Sequence, residues 1–188
     1  MNRLLLISAF IILPLLATAQ QQRTTNWENG TLNSKGDKAG VWEYFSYSPS
    51  GERVVTQRYD HTKRKLIYSR TDDKFYQVEI KSGHWEATQL TRAPWFVGGH
   101  EALAAYTSKL DYPAAAQAGN VEGRVVVSFI IDTLGRASSY QIVQGIGSGC
   151  DEEALRVSRT VPGYWLPGRL GSHAVPVRYE LPFTFRLQ

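Results

Sequence analysis

The end of the chain has the plainest pattern. Val175, Val177, Tyr179, Leu181, Phe183, Phe185 and Leu187 are apolar and fall on every second residue, with Pro176, Arg178, Glu180, Pro182, Thr184 and Arg186 between them. A period of two with one apolar face predicts a strand lying on a core. Val125, Val127, Phe129 and Ile131 alternate with the mixed set Arg124, Val126, Ser128 and Ile130, which predicts a central strand. Asp132-Thr133-Leu134-Gly135 has the residues of a tight turn, so 136–144 reads as the return strand of a hairpin. Ala102, Leu103, Tyr106 and Leu110 recur at helical spacing and predict a helix over 100–110, ended by Tyr112-Pro113. Pro113 then opens a short helix over 114–118, closed by Gly119-Asn120. Ser148-Gly149-Cys150-Asp151 reads as a capping box. The helix it starts buries Ala154, Leu155, Val157 and Val161, pairs Glu152 with Arg156 and stops at Pro162-Gly163. The order helix, strand, strand, helix, strand predicts an α+β fold, a three-stranded antiparallel sheet with helices on one face.

Residues 40–80 follow a different rhythm. Val41-Trp42-Glu43-Tyr44-Phe45, residues 54–59, Leu66-Ile67-Tyr68 and residues 75–80 are aromatic and β-branched runs, separated by turn residues at about ten-residue intervals. That spacing predicts a small antiparallel meander. The change of character falls at Ala93-Pro94-Trp95-Phe96-Val97-Gly98-Gly99, where the two glycines suit a tight turn before a helix. The expected organisation is a leader over 1–19, a β-rich region over 20–92 and a second domain over 93–188.

Composition narrows the function. The chain has 188 residues, 43% hydrophobic and 20% charged, as in folded proteins. Its net charge of +4 is scattered, with no run of four basic residues, so no nucleic-acid partner is expected. Cys150 is the single cysteine, which excludes an internal disulfide and a Cys-rich zinc site. His61, His84, His100 and His173 lack ligand spacing and are expected at the surface, with no metal or other cofactor. Arg3, the apolar run to Ala19 and the exit Ala17-Thr18-Ala19 read as a secretory signal peptide cut after Ala19. The other reading is a retained membrane anchor, for which the run is short.

From Pro94 to Leu187 the residues carry a resemblance. Gly98-Gly99, Tyr112-Pro113, Val121-Glu122-Gly123, the strand ending at Asp132 with Gly135, Gly145-Ile146-Gly147, the run 150–156, Trp165-Leu166-Pro167-Gly168 and Pro182-Phe183-Thr184-Phe185 stand in order. This stretch resembles the C-terminal domain of the TonB energy-transducer family. The resemblance implies a non-enzymatic periplasmic domain of Gram-negative bacteria. Such a domain grips a short peptide, the TonB box, of outer-membrane transporters by β-strand addition, and Tyr112-Pro113 belongs to its family motif. It also implies force from inner-membrane proton-motor proteins. Family transducers keep a membrane helix and often a proline-rich spacer, whereas this chain has a cleavable-looking leader and 8 scattered prolines. Two compartments follow: the periplasm after cleavage, or the periplasmic side of the inner membrane if the leader stays. The second functional reading is an envelope scaffold or adaptor without force transmission, and a homodimer is a further partner. Lys38-Ala39-Gly40-Val41-Trp42-Glu43-Tyr44 with Gly51 resembles the glycine-and-aromatic hairpins of MORN-like repeats. The alternative is a β extension that packs its own aromatics.

If the last strand is an edge, its two prolines are informative. Both are even-numbered, so they remove donors from one side only, and that side is expected to face water. A visiting strand would then pair around Val177, Arg178, Tyr179, Glu180 and Leu181. The competing reading is an edge blunted by proline against aggregation. Other motifs are expected to do less. Gly145-Ile146-Gly147-Ser148-Gly149 lacks the third glycine of a dinucleotide loop and the Lys-Ser/Thr of a P-loop. Asp151, Glu152 and Glu153 suit the N-terminal end of a helix, and Cys150 suits burial beside them, so no catalytic residue is assigned. An enzyme using the 145–150 loop is the third reading. Trp165-Leu166-Pro167-Gly168 is either a partner-facing loop or packing against the last strand.

Overall fold

A computed structural model describes residues 20–187, so the leader expected over 1–19 lies outside the described residues. The strands and helices run in the order β1 (Gln21–Thr24), β2 (Glu28–Leu32), β3 (Lys38–Tyr47), β4 (Arg53–Asp60), β5 (Lys65–Ser69), β6 (Phe75–Lys81), β7 (His84–Gln89), β8 (Trp95–Phe96), α1 (Gly99–Thr107), α2 (Ala114–Ala118), β9 (Gly123–Ile131), β10 (Ala137–Gln144), α3 (Cys150–Thr160), β11 (Trp165–Leu166), β12 (Gly168–Leu170), β13 (His173–Val175) and β14 (Val177–Phe185). Among the described residues no helix is long and apolar enough to cross a membrane.

The meander is present and longer than its aromatic runs suggest: β1 to β5 form one antiparallel sheet in sequence order. Trp42 and Tyr44 of β3 point to one face, where they pack with Tyr59 of β4. A bulge between Tyr44 and Phe45 turns Phe45 inward as well, so two consecutive residues are buried. Gly30 leaves room for the Trp42 ring, because a Cβ there would sit 2.3 Å from it. The face is closed by Trp95, Val97 and Leu166 from beyond the expected boundary, so the meander leans on the second half of the chain.

The second sheet corrects the expectation. It has five strands, not three, in the order β10-β9-β14-β6-β7. The hairpin β6–β7 comes from the region assigned to the N-terminal half, yet it joins β14. Fully buried Val78, Val177 and Leu90 form a small cluster that fixes this join. The alternation of residues 75–80 marks a strand, but nothing local marks which strand it will meet. A second correction concerns the long C-terminal strand, which Pro176 interrupts: Val175 belongs to β13, and the sheet strand starts at Val177.

The rest of the core follows the pattern. Val125, Val127, Phe129 and Ile131 of β9 and Leu181, Phe183 and Phe185 of β14 pack with Ala154 and Val157 of α3. Burying each large apolar side chain contributes about 1.5–3 kcal/mol relative to exposure. The helices lie on this one face. Ser128, on the other face, is buried between its ladder neighbours Glu180 and Gln141. Asp132 makes the β9–β10 turn by accepting the N–H groups of Leu134 (2.8 Å) and Arg136 (2.9 Å).

Two details of α3 differ from expectation. No side chain caps its start: Gly149 is the N-cap residue in a left-handed conformation, and the Asp151 carboxylate instead reaches back to the Ile146 N–H (2.9 Å). Arg156 pairs with Glu153 at 2.6 Å and with Asp111 at 3.4 Å rather than with Glu152. Glu153 also accepts the Asp111 N–H at 2.7 Å, so this trio ties α3 to the α1–α2 connection.

Candidate partner-binding edge

β14 has two flanks. Along one it pairs with β9 over its whole length, from Val177 opposite Ile131 to Phe185 opposite Gly123. Along the other it meets β6 at two residues only, Val177 opposite Val78 and Arg178 opposite Gln77. Among the described residues, no strand pairs with that flank from 179 to 185. The expected edge is therefore corrected: Val177 and Arg178 are taken by β6, while Tyr179, Glu180 and Leu181 and the residues after them keep an open side.

Parity decides which groups point there. The carbonyl of Pro176 accepts the Glu79 N–H of β6 at 3.1 Å, so even-numbered backbone groups face the β6 side. Pro182 sits opposite Val126 without breaking the β9 ladder, because its missing donor belongs to the same outer side. The open flank thus presents the N–H and C=O of Glu180 and Thr184 and the lone C=O of Pro182. Odd-numbered groups are spent on β9, and odd side chains fill the core.

A groove of about 860 Å³ lies at the C-terminal part of this strand, from Pro182 onward. Ala104, Thr107 and Ser108 at the end of α1 form one wall together with Leu110 and Tyr112. The residues from Pro182 to Leu187 form the other. Tyr112 is held edge-on to Phe185 at 5.7 Å, and its hydroxyl donates to the Val121 carbonyl at 2.8 Å. Pro113 does not line the groove; it is the residue on which α2 begins, and its ring lies under Gly149. Of the two residues of the family motif, one lines the groove and one sets the backbone. The lining mixes polar and apolar residues, and Glu180, Thr184 and Arg186 are exposed along the strand.

A second cluster sits where the meander meets α1, and the pattern along the chain gave no sign of it. Glu28 is 1% exposed and is salt-bridged to Lys38; the Arg23 guanidinium stands 3.7 Å away. Burial pushes the Glu28 carboxyl up and the Lys38 ammonium down from their ordinary values, and the pairing opposes both shifts. Lys38 also donates to the Gly98 carbonyl (3.3 Å), and Arg23 reaches Glu101 of α1 (3.5 Å). These contacts moor the start of the helix that walls the groove. Gly99 is needed here, since a Cβ would lie 2.4 Å from the Tyr44 ring, which rests on the helix start. Beside it the Tyr44 hydroxyl and His61 Nε2 share a hydrogen bond of 2.6 Å. The expectation of a surface His61 is corrected: it is half-buried against Trp42 and Tyr59, and burial, with Lys38 nearby, lowers its pKa to about 4.

The rival sites are accounted for by packing. The N–H groups of Ile146 and Gly147 are already turned onto the Asp151 carboxylate, so an anion of the chain's own fills the loop a phosphate would need. Cys150 is fully buried, and burial raises its pKa, the reverse of an activated thiol. Trp165 is 4% exposed and packs on Tyr179 at 4.8 Å and Phe96 at 5.2 Å, so its loop packs against the last strand. Among the described residues, no group of three His, Cys, Asp or Glu is placed to hold a metal.

No curated protein matches the chain. Among solved structures it is similar to two NMR solution structures of the C-terminal domain of TonB from Helicobacter pylori. The longer version is 25% identical, with 46% of this chain and 78% of that one covered, at a TM-score of 0.36. The shorter is 25% identical, with 47% and 91% covered, also at 0.36. Residues 108–187 match the family model described as the Gram-negative bacterial TonB protein C-terminal. That family is a non-enzymatic domain of protein interaction and transport. The match begins after α1, so the MORN-like phrase at Lys38 to Tyr44 lies outside it. Over residues 108–187 the chain is similar to the TonB C-terminal family.

Proposed function

We propose that this protein acts in outer-membrane transport by taking a short extended segment of a transporter onto the open flank of β14. The single observation that carries this reading is the unpaired run 179–185, whose later part, from Pro182 on, lines a groove of about 860 Å³. Strand addition supplies affinity through main-chain hydrogen bonds, and alternate side chains of the visitor enter the groove for specificity. Val177 and Arg178, expected to pair with the visitor, are occupied by β6. The binding residues in this reading are therefore Glu180, Pro182 and Thr184 through their backbone, and Tyr112 and Phe185 through the groove.

The compartment this reading requires is the periplasm, reached after cleavage of residues 1–19. Force from an inner-membrane proton motor would then have to come through another protein. The second reading, an adaptor whose N-terminal sheet holds a partner of its own, has one specific support. Ile67 and Tyr68 on the edge strand β5 are 53% and 42% exposed. Calorimetric titration of the full mature chain with a transporter-box peptide tests the first reading. Binding that is lost in Glu180→Pro supports it. Unchanged binding in that variant, or none in the native chain, leaves the adaptor reading in its place.

A further inference from the structure

β6 already shows how the outer flank of β14 receives a strand. It lies antiparallel to β14, takes the Pro176 carbonyl with the Glu79 N–H, and stands opposite Val177 and Arg178. Then the two strands part. Tyr76 and Phe75 remain paired with Thr88 and Gln89 of β7 but have no partner on β14. The Tyr76 hydroxyl donates to the Asp72 carboxylate at 2.7 Å, which holds this end of the hairpin in the connection from the meander. Buried Val78 and Val177 anchor the part that stays paired. Any strand entering beside residues 179–185 lies in line with β6 in the same sheet and runs into its end.

We infer that the β6–β7 hairpin is the end wall of the strand-addition site and sets the length of the segment that fits. This rests on the strand-addition reading and adds to it a partner of defined size. The open run takes an extended segment of about seven residues at ~3.3 Å each. On the β6 side the bound segment has to leave the plane of the sheet. A longer pairing requires lifting β6 from Val177 and Arg178, which uncovers the Val78 cluster. The visitor also needs free N–H groups on the side that meets Pro182 and its even-numbered neighbours, so proline is excluded at those alternate positions.

The test is a series of transporter-box peptides from about five to about eleven residues, titrated into the full mature chain, with residue-resolved amide exchange. The expected result is affinity that climbs up to about seven residues and then levels, with Glu180 and Thr184 gaining protection and Arg178 unchanged. Gln77→Pro removes a donor that faces β14 and none that faces β7, because it shares the parity of Glu79. In that variant the plateau moves to peptides about two residues longer, and Arg178 responds to them. Affinity that keeps climbing in the native chain, with Arg178 and Gln77 exchanging faster on binding, overturns the wall while leaving strand addition intact. If no peptide protects Glu180 or Thr184, strand addition itself fails and the wall fails with it. The native length series stands alone should Gln77→Pro not fold.

Discussion

Glu28 and Lys38 form a salt bridge in which one partner is almost fully buried. Removing Lys38 leaves a desolvated carboxylate with only Arg23 at 3.7 Å to answer it. Lys38→Met is expected to cost about 3 kcal/mol of stability in urea unfolding, and Glu28→Leu with Lys38→Met together less than Lys38→Met alone. His61 gives a pH signature of known sign. Its folded pKa of about 4 lies below the ordinary 6.5, so the unfolded chain binds the proton first. The stability it contributes is full above about 6.5 and is lost as pH falls through the window down to about 4. Glu28, whose carboxyl is raised, works in the opposite sense, so the comparison is with His61→Phe at each pH. The melting temperature of the native chain is expected to fall more between pH 7 and 5 than that of His61→Phe. Equal slopes would contradict the burial described for His61.

At the scale of elements, the parity of β14 makes a sharp prediction. Glu180→Pro removes a donor that points to the open flank, so thermal unfolding is expected to shift little while peptide binding is lost. Leu181→Pro removes a donor spent on β9 and is expected to unfold the domain. Trp165→Ala, which empties the space between Phe96, Phe129 and Tyr179, is expected to cost about 3 kcal/mol or more in the same unfolding experiment. The alternation of residues 175–187 is enough to find β14, its buried face and its outward Pro182, because a period of two fixes both side chain and backbone direction. The same pattern could not show that Pro176 ends one strand and begins another, nor that β6 crosses from the meander to Val177. Pairing between strands a hundred residues apart leaves no local trace. Glu28 and Lys38 escaped for a similar reason: each reads as an ordinary surface charge until β2 and β3 are placed beside α1. In the loop before α3, the position of Asp151 suggests a role at the helix start, but the amides it serves are those of Ile146 and Gly147 behind it.

In the molecule as a whole, the meander closes its core on Trp95, Val97 and Leu166, and the hairpin β6–β7 extends the TonB-like sheet. The two halves are therefore expected to unfold together. A fragment of residues 93–188 would expose Val177 and the flank that β6 covers, so it is expected to self-associate, with a mass in sedimentation that rises with concentration, while the full mature chain does not. The central claim, that the outer flank of β14 receives a partner strand, is tested most directly by hydrogen exchange at single amides with and without a transporter-box peptide. Without peptide, Leu181 and Phe183 are protected by β9, and Glu180 and Thr184 exchange freely. With peptide, the account predicts that Glu180 and Thr184 become protected and that the odd-numbered amides do not change. Protection that appears instead along β5 or β10, with Glu180 and Thr184 still open, would contradict it.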